Sequence, residues 1–144
     1  MLKLLLAILV GMSCTIATAA DTVIAPLQAI EQFGAITIGD GSSFFKFSND
    51  GTFESGPLDQ SGRTMKGYWT KGTNGRLVVT ARLGWINGLS SRDQYRRIIF
   101  YIAHVSKAAE RPNTPMWRRT PEFDSYFFID EMTAVPKPEK AIPE

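Results

Sequence analysis

The chain has 144 residues, 44% hydrophobic and 21% charged, with 16 Lys and Arg against 14 Asp and Glu and a net charge of +2. That composition fits one globular domain with a real apolar core, and it excludes a disordered or fibrous chain. One cysteine and one histidine leave too few ligands for a zinc or copper site.

Residues 1–19 are expected to be a signal peptide rather than part of the fold. Met1-Leu2-Lys3 is a short positive start, and Leu4 to Met12 is an apolar run too short to span a bilayer. Ala17-Thr18-Ala19 places small residues where a signal peptidase reads them. Cleavage is expected after Ala19, with Ala20 as the second choice. The residues leave open an uncleaved anchor, and a lipoprotein on Cys14, although Gly11-Met12-Ser13 lacks the large aliphatic residue expected three positions upstream. Cleavage removes the only cysteine, leaving no disulfide and no thiolate chemistry. No transmembrane segment is expected after cleavage.

Residues 20–134 are expected to form a single β-rich domain. Thr22 to Phe33 predicts a short helix, with Val23, Leu27, Ile30 and Phe33 near one face, Pro26 in the first turn and Gly34 just past the end. Ala35 to Ile38 is a strand. Phe44–Phe47 and Thr52–Glu54 make a hairpin around Asn49-Asp50-Gly51, and Gly56 to Arg63 is a polar loop. Thr64 to Lys71 is a strand with Met65 and Trp69 on one face, and Gly67 marks a bulge or a close backbone approach. Gly72-Thr73-Asn74-Gly75 is a hairpin turn, because Asn-Gly tolerates positive φ at both positions.

Arg76 to Trp85 alternates most clearly: Leu77, Val79, Ala81, Leu83 and Trp85 share one face. After a loop from Asn87 to Asp93, Gln94 to Val105 is a long strand. Its Arg96, Ile98, Phe100, Ile102 and His104 share one face, and Arg97, Ile99, Tyr101, Ala103 and Val105 the other. Both faces are apolar in the middle, which predicts a central strand covered on both sides. Lys107 to Pro121 is a proline-rich connection, Ser125 to Glu131 the closing strand, and residues 135–144 a mobile proline-rich tail.

The predicted fold is therefore mainly β, with seven to eight antiparallel strands and one short N-terminal helix. A lipocalin-like up-and-down barrel, which removes exposed edges, comes first and a sandwich second.

The chain shows no catalytic motif. There is no Gly-x-Ser-x-Gly and no glycine-rich phosphate loop, and His104 is a lone strand histidine. Glu122 with Asp124, and Asp130 with Glu131, are the candidate paired acids for a polysaccharide hydrolase. Asp130 and Glu131 are adjacent on a strand and point to opposite faces.

Trp69, Trp85 and Tyr101 either line a cavity for an apolar ligand or fill a small core. Arg96, Arg97, Arg118 and Arg119 offer a rim for an anionic headgroup. Charge is unevenly spread: residues 21–62 carry one lysine against six acids, residues 63–119 twelve Lys and Arg against two acids, and residues 120–144 two lysines against six acids. The basic middle is either a surface for an anionic partner or the wet face of a sheet neutralised by its flanks. Basic residues interleaved with aromatics also suit single-stranded nucleic acid, but the expected export argues against a nucleic-acid partner. No cofactor is expected. The partner is an apolar or anionic ligand or an envelope or host protein.

The signal peptide MLKLLLAILVGMSCTIATAA, the glycine and aromatic order in DGTFESGPLDQ and MKGYWTKGTNGRLVVTA, and the run GWINGLSSRDQYRRIIFYIAHV extend over nearly the whole chain. In this overall pattern the chain resembles the VirK family, small secreted proteins tied to the virulence regulon of Agrobacterium-type plant-associated bacteria. The resemblance carries no catalytic motif, and the family supplies no biochemical activity to place on residues. It implies a setting, with expression alongside virulence genes during contact with a plant, a periplasmic or secreted location and an accessory role. Binding without catalysis is the first functional reading, and a hydrolase acting on cell-wall or plant-derived polysaccharide is the alternative.

Overall fold

The computed structural model describes residues 23–39, 42–57, 63–85, 94–107 and 123–143. One short helix, α1 (Pro26–Phe33), precedes seven strands: β1 (Ala35–Gly39), β2 (Ser43–Ser48), β3 (Thr52–Pro57), β4 (Arg63–Lys71), β5 (Arg76–Trp85), β6 (Gln94–Lys107) and β7 (Phe123–Val135). Every strand pairs antiparallel with the next, so the sheet order is the chain order. The single sheet curls into a half-barrel. The mainly β fold and up-and-down order match the sequence expectation, and a two-sheet sandwich does not form among the described residues. β1 and β7 approach each other, but no ladder joins them among the described residues.

Helix α1 starts at Pro26 because proline fixes φ for a first turn and disfavours helical backbone at the residue before it. Ala25 is extended, and Ile24 exchanges two backbone hydrogen bonds with Val105 of β6 at 2.9 and 3.1 Å. Val23 is therefore outside the helix and exposed, not part of its apolar face. Gly34 ends the helix with φ 80°, its N–H donating to the Ile30 carbonyl.

Two turns set the strand register. At the β4–β5 turn, Asn74 and Gly75 both have positive φ, 54° and 73°. At the β2–β3 turn, the Asp50 carboxylate accepts hydrogen bonds from the Thr52 hydroxyl at 2.7 Å and the Thr52 N–H at 2.9 Å. These bonds, the hydroxyl first, hold the Asp50 carboxyl below the ordinary aspartate value.

Alternation and register place Ile36, Ile38, Phe45, Phe47, Phe53, Leu77, Val79, Ala81, Ile98, Phe100 and Ile102 on the concave face, where Ala29 and Ile30 of α1 cover them. Phe100 meets Phe45, Phe47 and Phe53 with ring centroids 5.2, 5.3 and 5.9 Å apart. Gly67 is the close approach rather than the bulge. A Cβ there would lie 1.9 Å from the Thr80 carbonyl oxygen and 2.7 Å from the Ala81 Cα. Alternation runs through it, so Met65 and Trp69 both pack against the core.

β6 departs from expectation in two ways. Its neighbours cover both edges, yet its convex face is covered only in part: Tyr95 is buried, Ile99 and Tyr101 are half-buried among cross-strand side chains and Arg97 is exposed. A register shift against β7 makes Ala103 an extra residue, so Val105 turns inward to full burial and His104 turns out to solvent.

Replacing Gly67 by Ala should destabilise the fold by about 2 kcal/mol or more, because the contact is with backbone. Gly75→Ala, which meets no atom within 4 Å, should cost only about 1 kcal/mol, for its positive φ. Urea unfolding of the two variants checks the order. A second expectation concerns acid. Asp50 is depressed in the folded state, so its contribution is present above the unfolded aspartate pKa and is lost as pH falls through the folded value. The gap in urea midpoint between Asp50→Ala and the parent should be open at pH 7 and shrink as pH drops below about 4.

Candidate functional site

The convex side of β5, β6 and β7 carries the side chains that the core does not use. Cross-strand partners share a face, which gives successive rows Arg82–Tyr95–Val135, Thr80–Arg97–Thr133, Val78–Ile99–Glu131 and Arg76–Tyr101–Phe128. Tyr126 follows opposite His104. Phe128 is 42% exposed and Tyr126 64%. The Tyr101 and Phe128 rings lie 4.9 Å apart, and Tyr126 and Phe128 6.5 Å apart. Three aromatic rings in contact thus form an exposed patch outside the closed core.

Arg76 ties this patch together. Its guanidinium lies over the Tyr101 ring, 5.4 Å from the centroid, and its Nε donates to Asp130 Oδ2. The link joins β5 to β7 across β6. It depends on a second register shift: Ile99 pairs with Glu131 and Phe100 with Ile129, so Asp130 is an extra residue on β7, and a bulge re-aims such a side chain. Asp130 is thereby committed to Arg76.

The residues expected to form the site do not gather in one place. Arg97 and Tyr101 lie on the convex face, Arg97 exposed and Tyr101 half-buried. Trp69 and Arg96 lie on the concave face. The Trp69 Nε1–H donates to the Ser48 carbonyl at 2.8 Å and its ring meets Phe47 edge-on at 6.2 Å, so this tryptophan closes the core. Arg96 is half-buried between Ala81 and Ala134, with its guanidinium on the Tyr95 carbonyl at 3.1 Å and Gln94 Oε1 at 3.4 Å. No carboxylate pairs with it among the described residues. The Trp85 side chain, Arg118, Arg119, Ala19, Ala20 and Glu122 lie outside the described residues, as does the Asp124 side chain. Arg76, Tyr126 and Phe128 were not anticipated, and Asp130, considered with Glu131 as a paired acid, serves instead as the partner of Arg76. The stretch Ser-Tyr-Phe-Phe-Ile carries the signal: aromatics on both faces of a closing strand cannot all enter one core.

Across the sheet, Lys46, Glu54, Lys66 and Arg82 form one convex row of alternating sign as far as Lys66. Residues 136–143 return along this side: Lys140 Nζ lies 4.4 Å from the Tyr68 ring centroid, and Pro143 borders a shallow pocket with Lys46, Thr52 and Lys66. Among the described residues no group of three or more His, Cys, Asp or Glu side chains is placed to hold a metal ion, and no helix is long and apolar enough to cross a membrane.

Comparison of the chain with protein families, with curated proteins and with solved structures finds no match.

The Arg76–Asp130 pair is a quarter to a third exposed, so its coupling in a double-mutant cycle of Arg76→Met and Asp130→Asn should be about 1 kcal/mol or less and should shrink with added salt. Unfolding midpoints of the four proteins at low and high ionic strength measure it.

Proposed function

We propose that the chain is an exported accessory protein of the VirK type, made by a plant-associated bacterium, and that it acts by docking a macromolecular partner of the envelope or host. Catalysis has no part in this reading. The observation that carries it is the exposed pair Tyr126 and Phe128, in contact with Tyr101 while the core closes without them. Large exposed aromatics in one contiguous patch mark interaction surfaces, and tyrosine offers both a packing face and a hydroxyl to a partner. Arg97 gives the same convex face an exposed cation beside the patch. A small ligand held inside the curl has less support, because four phenylalanine rings and α1 already fill the covered end. The export part of the proposal rests on residues 1–19, and the setting rests on the family resemblance.

The test is a photo-cross-linking side chain placed at position 126 in the producing bacterium, with position 28 on the exposed side of α1 as control. A discrete heavier adduct from 126 and not from 28, lost with Phe128→Ser, is the expected result. Phe128→Ser itself should change stability by less than about 1 kcal/mol. Equal adducts from both positions, or none from 126, would overturn the docking face.

A further inference from the structure

β7 has 13 residues and β1 has five, so at roughly 3.3 Å per residue β7 is about 43 Å long and β1 about 16 Å. On its concave side the first half of β7 is covered: Phe127 is half-buried and its ring lies 5.6 Å from that of Phe45. Among the described residues the second half has no such cover. Ile129 and Met132 pair with the fully buried Phe100 and Ile98 and so share the concave face, yet they are 38% and 51% exposed. The convex residues alongside them, Glu131 and Thr133, are also exposed. β7 is the last strand in the sheet order, so its outer edge has no strand neighbour among the described residues. The convex side is open on β6 as well, where Arg97 is exposed between two strand neighbours, so the bared concave residues are what set the second half of β7 apart.

We infer that the second half of β7, residues 129–135, accepts an extended segment of a partner polypeptide as an eighth antiparallel strand that completes the half-barrel. Eight strands enclose an interior just wide enough for side chains to fill. Strand addition uses the free main-chain groups of an edge for affinity and alternate side chains for specificity. The inward side chains of the incoming segment meet Ile129, Met132 and Ala134 and are apolar. The outward ones run beside Asp130 and Glu131. Residues 129–135 carry no cation, and Glu131 is exposed while Asp130 already meets Arg76, so the outward positions of the partner, beside Glu131 first, are lysine or arginine. This also disfavours a second copy of β7, which would set acid near acid. The inference rests on the docking reading and names how the partner engages.

The probe is a displayed library of random dodecapeptides panned on the purified chain, followed by amide exchange of the chain with a selected peptide bound. Selected sequences should alternate apolar residues with Lys or Arg, and should slow exchange of amides in 129–135 at least tenfold without changing β2 and β3. Met132→Lys should weaken binding tenfold or more and leave the unfolding midpoint unchanged. Peptides without alternation, no enrichment at all, or protection lying elsewhere would overturn strand addition, as would a concentration-dependent dimer that itself protects 129–135. A peptide that is cross-linked from position 126 while 129–135 exchange freely sinks strand addition and leaves the docking face standing. Protection of 129–135 without any cross-link from 126 does the reverse.

Discussion

Phe100 touches three other phenylalanine rings from two neighbouring parts of the curl, and the fold depends on that cluster. A single sheet has no second sheet to bury its apolar face. It must either bend round its own side chains or leave them wet. Here the rings of Phe45, Phe47 and Phe53 on one side and Phe100 on the other meet across the curl, and fully burying each such ring is worth about 2–3 kcal/mol. The bend has a backbone requirement at Gly67, where β4 and β5 come too close for any side chain. A second glycine serves the same curvature from outside. A Cβ on Gly56 would sit 3.2 Å from the Phe44 ring, so that ring lies in the space the glycine leaves open.

The way the core closes decides where the surface stays open. Helix α1 reaches β1 and β6 and covers one end of the concave face. Ile24 bonds to Val105 and fixes the same end. Neither reaches the far half of β7. That strand is held instead by its ladder to β6 and by Arg76, which crosses Tyr101 to reach Asp130. The two bulges in this ladder are what make the arrangement work: one turns Val105 inward beside Ile24, and the other frees Asp130 for Arg76. Among the described residues the last strand pair is thus the least enclosed part of the sheet and also the most irregular.

Much of this was legible in the sequence because short-range chemistry fixed it. Asn74-Gly75, Asp50-Gly51, Pro26 and Gly34 each need a particular backbone shape, and the structure uses each as expected. Period-2 alternation gave the faces of β5 correctly, from Leu77 to Ala81. The failures are non-local. His104 and Val105 exchanged faces because a bulge depends on the partner strand, and no pattern within β6 announces it. Ile99 and Tyr101 looked like core because they are apolar, but cross-strand neighbours shelter a residue without a covering layer. Trp69 and Tyr101 read as one aromatic set, yet they stand on opposite faces, and only the register shows that Trp69 finishes the core. Arg96 and Arg97, adjacent in sequence, must diverge by the pleat, so they could never have formed one rim.

The uneven charge of the chain takes on meaning once the strands are side by side. Glu54, one of the acids before residue 63, is carried on β3, and Asp124, Asp130 and Glu131, three of those after residue 119, on β7; these strands lie on either side of the basic β4, β5 and β6. Glu54 comes to stand between Lys46 and Lys66, and Asp130 reaches Arg76. Folding therefore brings together, at Glu54 and at Asp130, charges that the sequence keeps apart. Neutralisation is incomplete at Arg97, whose cross-strand neighbours are Thr80 and Thr133. On the other side of the sheet Arg96 stands between two alanines, with only neutral partners among the described residues. Both cations belong to the β6–β7 pair, the same pair that bares Tyr126, Phe128, Ile129 and Met132. Incompletely balanced charge and uncovered apolar surface thus fall on the same strand pair, on both of its faces.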